Sequence, residues 1–134
     1  MNLKQIGIAL VILHVLVVTP HSIAHTVLHI DMNQWQTVYI VLVILIGPIV
    51  SAALLWKLPN AGFALLGLSM AGSFIFGGYY HFIAEGADNV ASLHAHPWTF
   101  TFQISAVLLA VTELAGTVVG VIGTRERILS ATTS

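Results

Sequence analysis

The chain has 134 residues, of which 57% are hydrophobic and only 7% are charged, with a formal net charge of −1. Soluble domains carry about a quarter charged residues, so this composition excludes a water-soluble globular protein and is typical of a single integral membrane domain over residues 1–134. Four basic residues are too few for a basic patch, so we expect no nucleic-acid partner, and the lack of cysteine excludes disulfides and thiolate metal sites.

Four apolar segments are long enough to form membrane-spanning helices, which need about 20 residues to cross roughly 30 Å of hydrocarbon. They cover approximately residues 4–28, 35–56, 61–84 and 97–123. The first begins like a signal peptide, but its apolar run continues as far as Val27, so we interpret it as a retained span. Short connections containing turn-forming residues separate the segments. The sequence therefore predicts an all-α, up-down-up-down four-helix bundle surrounded by membrane lipids.

The basic residues indicate how this bundle is oriented. In an up-down-up-down arrangement they all lie on one side of the membrane, and the charged residues of the opposite connections are all acidic. Basic residues collect in the cytoplasm. We therefore expect both termini to be cytoplasmic and the first and third connections to be extracytoplasmic. The basic residues are Lys4, Lys57, Arg125 and Arg127, and the opposing acidic residues are Asp31, Glu85 and Asp88.

Small residues predict that the helices pack closely. Stripes of small residues at four-residue spacing let helix backbones approach each other in lipid. The third segment carries the stripe Ser69, Ser73 and Gly77, and the fourth carries Thr112, Gly116 and Gly120. The Gly47–Pro48 pair is expected to kink or loosen the second segment.

Histidines are concentrated near the extracytoplasmic end of the predicted bundle. His21, His25 and His29 follow one another at four-residue spacing, which places them on one face of the first helix. On the third segment His81 and Glu85 are also four residues apart, so we expect them to share a face. Ionisable groups at membrane depth are costly and usually functional.

The third connection adds Asp88, His94 and His96 to the same end of the bundle. Imidazole and carboxylate groups without thiolate suit copper, zinc or iron, and facing helices build metal sites from such pairs. We predict a metal site that holds Cu or Zn, with Fe as the third candidate. The preferred ligands are His25, His29, His81 and Glu85, followed by His94 and His96. His21 and Asp88 rank last, because Pro20 is expected to distort the helix beside His21 and Asp88 to shape the loop.

Two further ionisable residues lie deeper in the predicted bundle. His14 and Glu113 are both about 15–18 Å from the cytoplasmic ends of their helices, at a rise of 1.5 Å per residue. An unpaired carboxylate at that depth is costly. We predict that His14 and Glu113 form a buried polar pair, or share a partner such as Gln103. Such a pair acts either as a structural clamp or as part of a proton path.

The predicted site is compatible with several functions, and no catalytic residue is identified. A four-helix chain with little extramembrane mass favours an accessory metal-binding subunit of a larger membrane oxidoreductase or oxygenase complex. A self-contained metalloenzyme acting on a lipid-soluble substrate is the first alternative, with Glu85 or Asp88 as base. A haem b protein, with His21 or His25 and His81 as axial ligands, is the second. A histidine-based proton relay is the third, and histidines that only form structural hydrogen bonds are the last.

Overall fold

The computed structural model describes residues 1–132, and this part of the chain is helical and contains no strands. We number its four long helices α1 to α4. All are long and apolar enough to cross a membrane. They run over Leu3–Val27 (α1), Gln34–Lys57 (α2), Pro59–Ile83 (α3) and Thr99–Thr132 (α4).

Local sequence signals define where the helices begin. Asn2 accepts a hydrogen bond from the backbone amide of Gln5, whose side chain accepts one from the Asn2 amide, so the two residues form a capping box at the start of α1. Asn33 and Gln36 form the same arrangement at the start of α2. Pro59 occupies the first turn of α3, where its missing amide hydrogen costs nothing. A single residue therefore connects α2 and α3.

The two prolines within helices have different effects. Helix α1 continues through Pro20 without a break. In α2 the segment Ile40–Ile46, just before Gly47 and Pro48, is wound as a π-helix. Pro48 has no amide hydrogen for the carbonyl of Ile44 one α-turn earlier, and wider turns of this kind occur where the α-helical bonding pattern is interrupted. The expected loosening at Gly47–Pro48 thus takes the form of a π-helical segment.

Contacts between the helices show that neighbours alternate in direction. Helix α4 packs extensively against both α3 and α1. Gly120 near the end of α4 lies against Gly67 in the first half of α3, and Ser105 near the start of α4 lies beside His21 in the last turns of α1. Both pairs are antiparallel, so α1 and α3 run in the same direction. The ends of α1 and α3 therefore meet at the same end of the bundle.

Apolar side chains fill the bundle and also cover its outside. Three buried clusters follow one another along its length, around Leu66, Leu109 and Phe102. Large apolar residues also point outward: Leu68 is 73% exposed and Val111 is 62% exposed. A helical surface of this composition suits contact with lipid rather than water.

Candidate metal centre

Three histidines converge where α1 and α3 end. His21, His25 and His81 are each less than a tenth exposed. Each offers a ring nitrogen, and these atoms lie within 4.8 Å of one another. Among the residues that the structure describes, no other group of three or more histidines and carboxylates lies this close together. We call these three residues the histidine triad.

The helical geometry explains this convergence. His21 and His25 are one turn apart on α1, and their ring centroids are 4.8 Å apart. His81 comes from the π-helical end of α3, Tyr79–Ile83, and its ring centroid lies 4.9 Å from that of His21. The fully buried ring of Phe102 on α4 contacts all three imidazoles. The triad is therefore held by three helices and shielded from water by an aromatic ring.

The hydrogen bonds of His21 determine which of its nitrogens is available. Its Nδ1 lies 2.9 Å from the Ser105 hydroxyl oxygen. That hydroxyl donates its hydrogen to the carbonyl oxygen of Thr101 at 2.6 Å, so it accepts a hydrogen bond from His21 Nδ1. The Nε2 atom of His21 is buried without a hydrogen-bond partner. In this tautomer Nε2 carries the lone pair that a metal ion requires.

Asp88 orients the other two imidazoles. His81 Nδ1 donates to the backbone carbonyl oxygen of Asp88 at 3.1 Å, which leaves the lone pair on Nε2. His25 Nε2 lies 3.3 Å from Asp88 Oδ1, and His25 Nδ1 is buried without a partner. Each imidazole therefore directs one nitrogen toward an oxygen atom and keeps the other free. Metal-bound histidines show this arrangement, because the outer contact fixes the tautomer and the ring orientation.

The carboxyl group of Asp88 is electrostatically coupled to the triad. Burial alone would raise the pKa of Asp88, but its contact with His81 and its attraction to the protonated forms of the three imidazoles outweigh burial and lower this pKa below its ordinary value. Its Oδ1 lies 3.1 Å from His81 Nδ1 and 3.3 Å from His25 Nε2 without a well-aligned hydrogen bond to either. Asp88 therefore supplies a negative charge beside the three neutral donors.

His29 and Glu85 lie outside the triad, although they are among the preferred ligands of the sequence analysis. Helix α1 ends at Val27, and His29 adopts a left-handed backbone with φ of 53°, with its ring directed to the Val27 carbonyl. Helix α3 ends at Ile83, before Glu85. The expectation that His81 and Glu85 share a helical face is therefore wrong. Both outlying side chains are exposed.

His94 and His96 also lie outside the triad, in the connection between α3 and α4. Both are exposed, and with His29 they line a shallow surface groove. The His96 ring accepts a hydrogen bond from the Trp98 amide at 3.2 Å and thereby shapes its own loop. His21, by contrast, belongs to the triad because α1 continues through Pro20. Its four-residue spacing from His25 was the signal in the sequence that identified it.

The deeper residues His14 and Glu113 lie side by side in the centre of the bundle. His14 is fully buried and Glu113 is 3% exposed, and His14 Nδ1 lies 3.9 Å from Glu113 Oε1. This separation is too long for a direct hydrogen bond. His14 Nε2 instead donates to the carbonyl oxygen of Ile44 at 2.9 Å. Gln103 donates to the carbonyl of Val90 and so is not a shared partner of the pair.

A cavity of about 250 Å³ connects the triad with Glu113. The triad, Asp88 and Glu113 all line its wall. Apolar side chains from α1, α2, α3 and α4 form most of the remaining wall. The three imidazoles therefore border a mostly apolar cavity.

Comparison with protein-family models, with curated proteins and with solved structures finds no match to this chain. The chemistry of the site is therefore inferred from its own residues.

The triad fits a divalent transition metal. Bonds of about 2.0–2.1 Å to nitrogen in tetrahedral geometry place neighbouring donor atoms about 3.4 Å apart. One ring nitrogen of each histidine in the triad lies within 4.8 Å of the other two, so a bound ion would have to draw these atoms together by about 1.4 Å or less. Three neutral imidazoles suit zinc or copper, and three protein ligands leave one coordination position open.

Proposed function

We propose that this chain is a small integral membrane protein that binds one Cu²⁺ or Zn²⁺ ion through His21, His25 and His81. The observation that carries this proposal is the orientation of the three buried rings, each of which has one nitrogen directed to an oxygen atom and the other free. Burying three imidazoles without such a role leaves polar atoms unsatisfied, which costs free energy. Asp88 orients His25 and His81 and balances part of the charge of the ion.

We further propose that the triad lies at the extracytoplasmic side and that the chain serves a larger membrane oxidoreductase or oxygenase complex. The distribution of the basic residues supports this sidedness. The connections support the accessory role, because the longest, residues 84–98, is too short for a domain of its own. The aromatic and apolar outer surface of the helical bundle offers contact area for lipids and for other membrane subunits.

The packing of the triad favours a bare ion over haem b. A haem with two axial histidines needs a flat slot for the porphyrin between the two imidazoles. The rings of His21 and His81 are in edge contact, with centroids 4.9 Å apart, and the Phe102 ring packs against both. No porphyrin fits between them without separating α1 from α3.

Cobalt binding tests the proposed coordination. We expect the tag-free protein, reconstituted in lipid nanodiscs, to bind Co²⁺ saturably, and the visible bands to have the high intensity of four-coordinate cobalt. Zn²⁺ should displace the cobalt and remove these bands. His81→Ala should abolish the bands, whereas the exposed-site control His94→Ala should retain them. The proposal would be overturned if the protein gave no more than the weak spectrum of six-coordinate cobalt. It would also be overturned if the protein as isolated showed a Soret band, which indicates bound haem.

A further inference from the structure

The cavity beside the triad is large enough for a small organic molecule. Its volume is about 250 Å³. An apolar cavity of about 150 Å³ in another protein holds benzene, so this space accommodates a molecule somewhat larger than a single ring. Pockets for small molecules combine apolar walls with a few polar groups that fix orientation.

The wall has this composition. Buried apolar side chains, such as Val18, Ile44 and Leu109, form part of it. Its polar lining includes the triad and Glu113, together with the hydroxyl groups of Ser22, Thr26 and Ser73. Within residues 1–132 the Glu113 carboxyl group has no hydrogen bond to another side chain, and the His14 Nδ1 atom lies 3.9 Å from its Oε1. A ligand with one polar group would therefore find a partner at Glu113.

The cavity opens between α1 and the outer half of α2. The backbone of α1 comes closest to α2 along Gly47–Lys57, whereas the backbone of Gln34–Ile46 lies farther from α1. Ser22 and Thr26, which line the cavity from α1, are exposed, and Ile40 across from them on α2 is partly exposed. In a membrane this seam faces lipid, so a molecule dissolved in the bilayer can enter from the side.

Gly77 lies close to both His81 of the triad and the Glu113 carboxyl group. A Cβ atom placed on this glycine would lie 4.0 Å from His81 Nε2 and 3.9 Å from Glu113 Oε2. It would thus occupy space between the triad and the carboxyl group. Its shortest contact would be 3.6 Å, to His81 Cδ2, which is an ordinary van der Waals distance. An alanine here should therefore be tolerated by the fold while it narrows the cavity.

We propose that this cavity binds a small, mostly apolar molecule from the lipid phase, with a single hydroxyl or amine group that hydrogen-bonds to Glu113. The inference deepens the proposed function, because the open coordination position of a metal held by the triad faces the same space. The molecule would then lie between the ion and Glu113, as a substrate or a modulator of the metal site.

The test uses 4-fluorobenzyl alcohol as the probe and its fluorine resonance as the readout. In nanodiscs containing the metal-free protein, we expect a saturable chemical-shift change that empty nanodiscs do not show. 4-Fluorotoluene, which lacks the hydroxyl group, should bind about fivefold more weakly. Glu113→Leu should remove the difference between the two probes. Gly77→Ala should weaken binding of the alcohol by at least about fivefold, because the added methyl group fills part of the site.

Gly78→Ala is the matched control, because a Cβ at Gly78 meets nothing within 4 Å. This variant should bind the alcohol as the parent protein does. Absence of saturable binding to the parent protein, or equal binding by Gly77→Ala and Gly78→Ala, would overturn the inference. Cobalt binding by the same samples separates this result from the proposed function, since the triad can hold a metal whether or not the cavity holds the probe.

Discussion

His14 donates a hydrogen bond from Nε2 to the carbonyl oxygen of Ile44, across 2.9 Å in the centre of the bundle. In a regular α-helix this carbonyl would accept from the amide of residue 48, which is a proline and has no hydrogen to donate. The imidazole of α1 thus replaces a backbone donor that α2 lacks. This contact joins α1 to α2 beneath the seam where the cavity opens.

His14→Leu should therefore destabilise the protein by about 1–3 kcal/mol, because the Ile44 carbonyl is left buried without a donor. In a Pro48→Ala background most of this cost should disappear, since the alanine amide can donate to Ile44. Reversible unfolding in mixed micelles, analysed as a double-mutant cycle, measures the coupling. An equal cost in both backgrounds would show that His14 does not replace the missing donor.

Ser105→Ala should weaken metal binding without touching a ligand. The Ser105 hydroxyl accepts from His21 Nδ1 and so holds the ring with Nε2 free. Loss of such an outer contact typically lowers metal affinity about 10–100-fold. Ser69→Ala is the control, because the Ser69 hydroxyl bonds only within its own helix. Zinc affinity measured by competition with a chelator should fall for Ser105→Ala alone, and unchanged affinity would refute the assignment of the His21 tautomer.

Asp88→Asn should also weaken the site. The substitution removes a negative charge that lies within 3.3 Å of ring nitrogens of both His25 and His81. We expect zinc affinity to fall about tenfold or more, from lost orientation and lost charge balance. Asp31→Asn removes an exposed carboxylate and should leave affinity unchanged. The same competition titration measures both, and equal affinities would exclude a role for Asp88.

Gly120→Ala should disrupt the contact between α3 and α4. A Cβ at Gly120 would overlap the backbone nitrogen and Cα of Gly67, which cannot move without separating the helices. We expect a loss of stability of about 1–3 kcal/mol or more. The control Gly78→Ala adds a methyl group into open space and should change stability by less than about 0.5 kcal/mol. Thermal unfolding of the two variants in detergent makes the comparison, and similar melting temperatures would contradict this packing.

Much of the fold could be predicted from the sequence, because apolar length alone identifies helices that can span a membrane. The small residues on α4 also indicated the close contact at Gly120. Its partner is Gly67, which lies outside the small-residue stripe identified on the third segment. Four-residue spacing predicts which residues share a face of one helix, but it does not specify the rotation of that helix against its neighbour.

The candidate site was predicted only where the helices continue. Four-residue spacing places His21 and His25 together because α1 is helical through both. The same spacing failed for His29 and Glu85, because each lies beyond the end of its helix. The position of Asp88 depends on the path of an irregular loop, for which spacing carries no information. Four-residue spacing therefore predicts neighbouring side chains only as far as the helix itself extends.

The metal content of histidine variants tests the central claim most directly. Tag-free protein, loaded with Zn²⁺ or Cu²⁺ and freed of excess ion, should contain about one metal ion per chain by elemental analysis. His21→Ala, His25→Ala and His81→Ala should each lose it, whereas His29→Ala and His96→Ala should retain it. The account would be contradicted if the parent protein never held about one metal ion per chain. It would also be contradicted if His29→Ala and His96→Ala lost the metal while the three triad variants kept it.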